Sequence, residues 1–142
     1  MQRTLPILPC MCASLRRASR ALTQHYEDAL RPFDLTTSQF TILQALSMMG
    51  EVTQGDLARV LAMDSTTLTR TLRIMERHGW IAKRAGKDRR AWWLSLARGG
   101  RRRFEQASIE WERVQAELRR ELGEDWNTLM NLSDRVTMAV TE

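Results

Sequence analysis

Histidine and cysteine, the side chains that most often hold a metal or carry a reactive group, occur only twice each in the 142 residues. The cysteines, Cys10 and Cys12, stand one residue apart, too few for a disulfide framework and in a spacing that fits no secreted scaffold. A reducing, cytoplasmic compartment is the expectation. His25 and His78 have no second ligand type at helical spacing, so no zinc site, and no other metal or cofactor, is expected. A Gly-rich phosphate loop and a nucleophile elbow are also missing, which argues against an enzyme. Long apolar runs are absent too. Leu5 to Ala13 follows Arg3 but is short, is interrupted by Pro6 and Pro9, and leads into an Arg-rich segment with no cleavage site, so it does not read as a signal peptide. No later run approaches the ~20 residues of a membrane span, and no membrane partner is expected.

What is present is one domain's length of chain and an uneven charge. The net charge is +5. From Gln54 to Arg103 thirteen Lys and Arg face four Asp and Glu, whereas from Glu105 to Glu142 nine acids face four arginines. A basic middle with an acidic tail suits a nucleic-acid binder, although charge alone leaves a solvated basic surface equally open.

Hydrophobic spacing predicts mostly helix. Leu15, Ala18, Leu22, Tyr26 and Ala29 repeat at helical intervals, and Pro32 ends that run. Thr36 with Gln39 three residues on is a capping-box pattern opening a second helix, with Phe40, Leu43, Leu46 and Met49 as its inner stripe and Gly50 as its stop. Thr53 is the expected cap of a short third helix burying Leu57, Val60 and Leu61. A fourth begins near Asp64 or Ser65 and ends at Gly79, with Leu68, Leu72 and Met75 on one side and Thr66, Thr69, Arg70, Arg73 and Arg77 on or beside the other. Two short helices with a tight link, the second Arg-rich outside, describe a helix-turn-helix. "WIAKR", "AGKD" and "RRAWWLSL" then read as a hairpin, with Trp92, Leu94 and Leu96 on one face and Trp93 and Ser95 on the other. After Gly99 and Gly100 comes a long helix carrying Phe104, Ile109, Trp111, Val114 and Leu118. Gly123 breaks it before a last helix with Trp126, Leu129, Met130, Leu132, Val136, Met138 and Val140.

In order and spacing, "LTTSQFTIL", "TQGDLARVL", "DSTTLTRTLRIMERHGWI", "KR" and "DRRAWWLSLARGG" resemble the MarR family of winged helix-turn-helix regulators, with Ala97 where the family usually has Thr. The resemblance implies a mainly α fold with a small β-wing, in one domain spanning 1–142. A winged core at about 36–96 would be flanked by dimerisation helices at about 12–31 and 97–142. It also implies a homodimer that binds double-stranded DNA at a pseudo-palindromic operator.

On that reading Ser65, Thr66, Thr67, Thr69, Arg70 and Arg73 meet bases or phosphates, and Arg77, Arg84, Lys87 and Arg89 add phosphate charge. Arg90 matches the wing arginine that enters the minor groove. Asp64 and Asp88 match the acids that brace the wing, Asp88 by pairing with an arginine such as Arg90; Asp64, just before the fourth helix, would also favour that helix's N-terminus.

The family implies a repressor released by a small aromatic or phenolic ligand, for which His25, Tyr26, Phe40, Met48 and Trp111 are the candidates; ordinary core packing is the alternative for each. "CASLRRASR" also resembles the run after the reactive cysteine of the peroxide-sensing OhrR branch, with Arg16 where that branch has tyrosine. A thiol in the first turn of a helix meets the positive end of its dipole, and Arg16 adds charge, which makes Cys12 the redox candidate and Cys10 its partner thiol. Within one helix, thiols two residues apart point to opposite sides, so a bond between subunits would fit better than one between the two. The remaining alternative is a helical interaction protein that has lost DNA binding.

Overall fold

The computed structural model describes residues 4–88 and 90–141. Helices α1 (Met11–Leu30) and α2 (Thr37–Met49) lead through a short strand β1 (Val52–Thr53) into α3 (Gln54–Leu61) and α4 (Ser65–Arg77). Strands β2 (Ile81–Ala85) and β3 (Trp92–Leu96) follow, then the long α5 (Arg98–Leu122) and α6 (Asp125–Thr141). The strands form one antiparallel sheet in the order β1-β3-β2. The fold is mainly α with a small β-wing, as the residue pattern predicts.

Local chemistry sets the helix ends. Thr36 accepts from the Gln39 amide at 3.1 Å and the Gln39 side chain accepts from the Thr36 amide at 3.0 Å, completing the capping box of α2. Thr53 caps α3 through the Asp56 amide at 3.1 Å. Three helical segments end alike, on a left-handed residue whose successor's amide reaches five residues back: Asp34 (Leu35 to Leu30), Ala62 (Met63 to Ala58) and Gly79 (Trp80 to Met75). The core lies where α2, α3, α4 and β3 meet, around Ile42, Leu43, Leu57, Leu68, Met75 and Leu94, with Phe40 and Ala107 joining α5 to it.

Several expectations are corrected. Helix α1 begins at Met11 and Cys10 is its extended N-cap, so the two thiols do not lie on opposite sides of one helix. Val60 is 58% exposed, because the inner face of α3 is centred on Leu57, Ala58 and Leu61, and Val60 lies about 100° round from it. Ile109 is 72% exposed, and the buried stripe of α5 passes instead through Phe104, Ala107, Trp111 and Val114. Gly99 and Gly100 belong to the first turn of α5 rather than preceding it. Strand β1 was not anticipated: two residues are too few to show alternation, and Thr53 signals only its capping role.

Among the described residues α6 buries nothing: Leu129, Met130, Leu132, Met138 and Val140 are all exposed, as are Met11, Leu15 and Leu22 of α1. No described helix is long and apolar enough to cross a membrane.

Candidate nucleic-acid interface

Helix α4 is anchored on one side by Leu68, Leu72 and Met75, all buried. Its other side borders an open concavity lined by Ser65, Thr66, Thr69, Arg70, Arg73, Ile74, Glu76 and Arg77, together with Lys83 of β2. Arg70, Arg73 and Arg77 are exposed, and among the described residues none forms an ion pair within the chain. The arrangement is a cationic, hydroxyl-bearing helix face free to meet an anionic partner.

Not every predicted residue is equally free. The Thr67 hydroxyl donates to Asp64 at 2.6 Å and the Thr67 amide to the same carboxylate at 2.8 Å. Those bonds make Asp64 the N-cap of α4 and hold its carboxyl below the usual range. Asp64 therefore acts on α4, not on the wing. The Thr69 hydroxyl accepts from the Gln54 side chain at 2.8 Å, which ties α4 to the start of α3. Thr67 and Thr69 are thus engaged by the fold, while Ser65 and Thr66 remain exposed at the first turn.

In the wing the Gly86 amide donates to the Ala91 carbonyl at 2.8 Å. A Cβ on Gly86 would stand 3.0 Å from that carbonyl oxygen and 3.2 Å from the Trp93 indole nitrogen. Asp88 accepts the backbone amide of Arg90 at 3.2 Å, so it fixes the loop through the main chain; among the described residues it forms no side-chain pair with an arginine. Arg90, Ala91 and Trp92 border a second hollow with Thr53, Gln54, Gly55, Ala58 and Ser65, which sets the wing beside the N-terminal ends of α3 and α4. Lys87 is exposed, and Arg89 lies outside the described residues.

Arg84, expected among the phosphate contacts, is instead engaged by a carboxylate. Its Nε and Nη2 reach the two oxygens of Glu51 at 2.9 and 2.5 Å, and its guanidinium lies 5.3 Å over the Trp93 ring. The bonds lower the Glu51 carboxyl and raise Arg84. The residues that sequence reasoning missed are Glu51, Gln54 and Lys83. Only Lys83 left a signal, since strand alternation puts it on the side of Ile81; its Nζ lies 4.5 Å over the Trp92 ring.

The five effector candidates are not brought into one crevice. Phe40 is buried, with its ring 5.4 Å from Phe104 and 5.8 Å from Trp111, so Phe40 and Trp111 belong to an aromatic core. The Tyr26 hydroxyl donates to Gln115, and burial pushes its phenol up. His25 borders a separate groove with Asp28, Pro32, Phe33, Glu110 and Arg113. Met48 is 80% exposed beyond the core face of α2, because it leans away from the Leu43–Leu46 stripe. Cys10 and Cys12 are both exposed thiols.

Comparison with known proteins agrees with this geometry. A model of the MarR family matches residues 33–91. The Mycobacterium tuberculosis transcriptional regulator MosR, solved in complex with DNA, is 37% identical, with 92% of this chain and 95% of that one covered and a TM-score of 0.84. A cysteine-to-serine variant of Escherichia coli MarR in complex with operator DNA is 25% identical over 89% of this chain and 92% of that one, with a TM-score of 0.79. The organic hydroperoxide resistance transcriptional regulator of Bacillus subtilis is 33% identical over 63% of this chain and 62% of its own length.

Proposed function

Because the chain belongs to the MarR family of DNA-binding transcriptional regulators, we propose that it acts as a homodimeric repressor that holds a pseudo-palindromic operator through α4 and the wing. The observation that carries this is the α4 face, where Arg70, Arg73 and Arg77 are exposed beside the wing and, among the described residues, form no ion pair. Ser65, Thr66, Arg70 and Arg73 are assigned to base edges and nearby phosphates, and Arg77, Lys87 and Arg89 to phosphates. Arg90 is assigned to the minor groove, with Asp88 holding its backbone. Residues 36–96 form the reading unit and the terminal helices the pairing unit of one domain. A cytoplasmic location is part of the same proposal, since the DNA it would bind is there.

Release is assigned to a small aromatic or phenolic anion held in a crevice between the terminal helices and the winged core. The second reading is thiol-based release. Its support is the pair of exposed thiols at the head of α1 and the likeness to a regulator named for organic hydroperoxide resistance. A hydroperoxide would oxidise the Cys12 thiolate to a sulfenate and leave as the alcohol; a second thiol, such as Cys10, would then displace water to form a disulfide.

One gel-shift series tests both. Arg90→Ala should weaken binding to a promoter duplex roughly tenfold or more with the fold intact, and undiminished affinity would sink the wing assignment. Hydroperoxide should abolish the shift of the unaltered chain but not of Cys12→Ser if the thiol reading holds; equal behaviour removes it.

A further inference from the structure

We propose that Glu51 and Arg84 form a strap across the wing sheet, making Arg84 a positioning residue for DNA binding and not a phosphate contact. The inference rests on the DNA-binding reading above.

The sheet order places β3 in the middle. Glu51 directly precedes β1 on one edge, and Arg84 lies in β2 on the other. Arg84 is paired in register with Trp93 of the central strand, which is itself paired with Thr53 of β1. The guanidinium thus crosses the Trp93 ring and closes a two-pronged pair with Glu51 on the far side. Both ends are partly exposed, so the pair adds little to global stability; what a planar fork on a ring supplies is orientation. Orientation is what this edge lacks, since β1 holds β3 by only two residue pairs. From β1 the linkage continues: Thr53 caps α3, and Gln54 bonds Thr69 on α4. The strap therefore ties the wing to the helix that reads the major groove.

Electrostatics makes the sign of the test decisive. Were Arg84 a phosphate contact, removing the Glu51 carboxylate would release it and strengthen DNA binding. In a strap, the same change loosens the wing and weakens binding. The first measurement is made without DNA: hydrogen exchange at the Gly86 amide, which is bonded to Ala91 across the hairpin. Glu51→Gln, Arg84→Gln and Arg84→Lys should each speed it several-fold, and Glu51→Gln with Arg84→Gln should be no faster than the faster single variant. The second measurement compares a duplex selected by the unaltered chain from a random pool with random duplex. Each variant should lose more affinity for the selected duplex than for the random one, with the salt slope unchanged. A general loss of folding would lower both alike.

The strap is overturned if the exchange effects add. It is equally overturned if Glu51→Gln binds the selected duplex as tightly as the unaltered chain or tighter, or if Arg84→Gln shortens the salt slope by about one while Arg84→Lys restores it. An unaltered chain that prefers no duplex overturns the regulator reading, and that failure is seen separately from the exchange result.

Discussion

Ala62 is where the helix-turn-helix bends, and its φ of 51° lies in the left-handed region that a Cβ disfavours. The amides of Ala62 and Met63 close the turn onto Arg59 and Ala58 at 3.2 and 3.0 Å, so the conformation is fixed by the backbone whatever the side chain. The same turn after α4 is made with Gly79. Holding alanine in this region costs about 1–2 kcal/mol, and glycine's extra freedom in the unfolded chain offsets about 0.5–1 of it. Ala62→Gly is therefore expected to raise stability by roughly 0.5 kcal/mol, seen as a higher urea midpoint with an unchanged slope; a lower midpoint would refute the strain. At this scale the sequence shows which side chains carry charge and hydroxyls, but not which are already engaged. Thr66 and Thr67 are neighbours of equal chemistry, yet only the Thr67 hydroxyl reaches Asp64, because N-cap geometry selects the residue three positions on. Arg84 and Arg90 look equally basic, and only the folded sheet sets Glu51 beside the first.

At the scale of elements, the joint between α5 and the wing depends on Gly100. A Cβ there would lie 1.9 Å from the Trp80 carbonyl oxygen, which also accepts the Ala97 amide at 3.0 Å. Backbone meets backbone, so no side-chain rotation relieves the clash. Gly100→Ala should cost about 1–3 kcal/mol, read as a lower melting temperature, by the overpacking that forces α5 off its neighbour. Gly99→Ala should cost less, since its Cβ would sit 3.0 Å from the Gly79 carbonyl oxygen. Equal losses from the two would show that glycine flexibility, not close approach, is what matters. Such contacts explain what was legible. The capping box of α2 and the Leu68–Leu72–Met75 stripe of α4 are local and can be read from spacing alone. The start of α5 and the choice of Ala107 over Ile109 as its buried residue depend on partners far away in the chain. Strand β1 exists only because β3 is there to pair with it.

At the scale of the molecule, the chain leaves a large apolar surface open at its two ends. Met11 of α1 and Leu132, Val136, Met138 and Val140 of α6 border one shallow depression, and Leu129 and Met130 extend the exposed face. Apolar patches of this kind on a charged protein mark an interface, and in the proposed homodimer a second copy with the same patch would cover it by two-fold symmetry. In the proposed dimer, pairing would bear directly on DNA, because two linked half-site readers gain from effective concentration what neither has alone. Leu132→Glu places a carboxylate in that surface. It is expected to convert the sedimenting species to a monomer, to make thermal unfolding independent of protein concentration, and to weaken operator binding by about a hundredfold or more. Arg90→Ala, which touches only the wing, should leave the dimer intact. A Leu132→Glu chain that still sedimented as a dimer would move the interface away from α6. One that became monomeric yet bound the operator unchanged would separate pairing from recognition, and the two-half-site reading would fall with it.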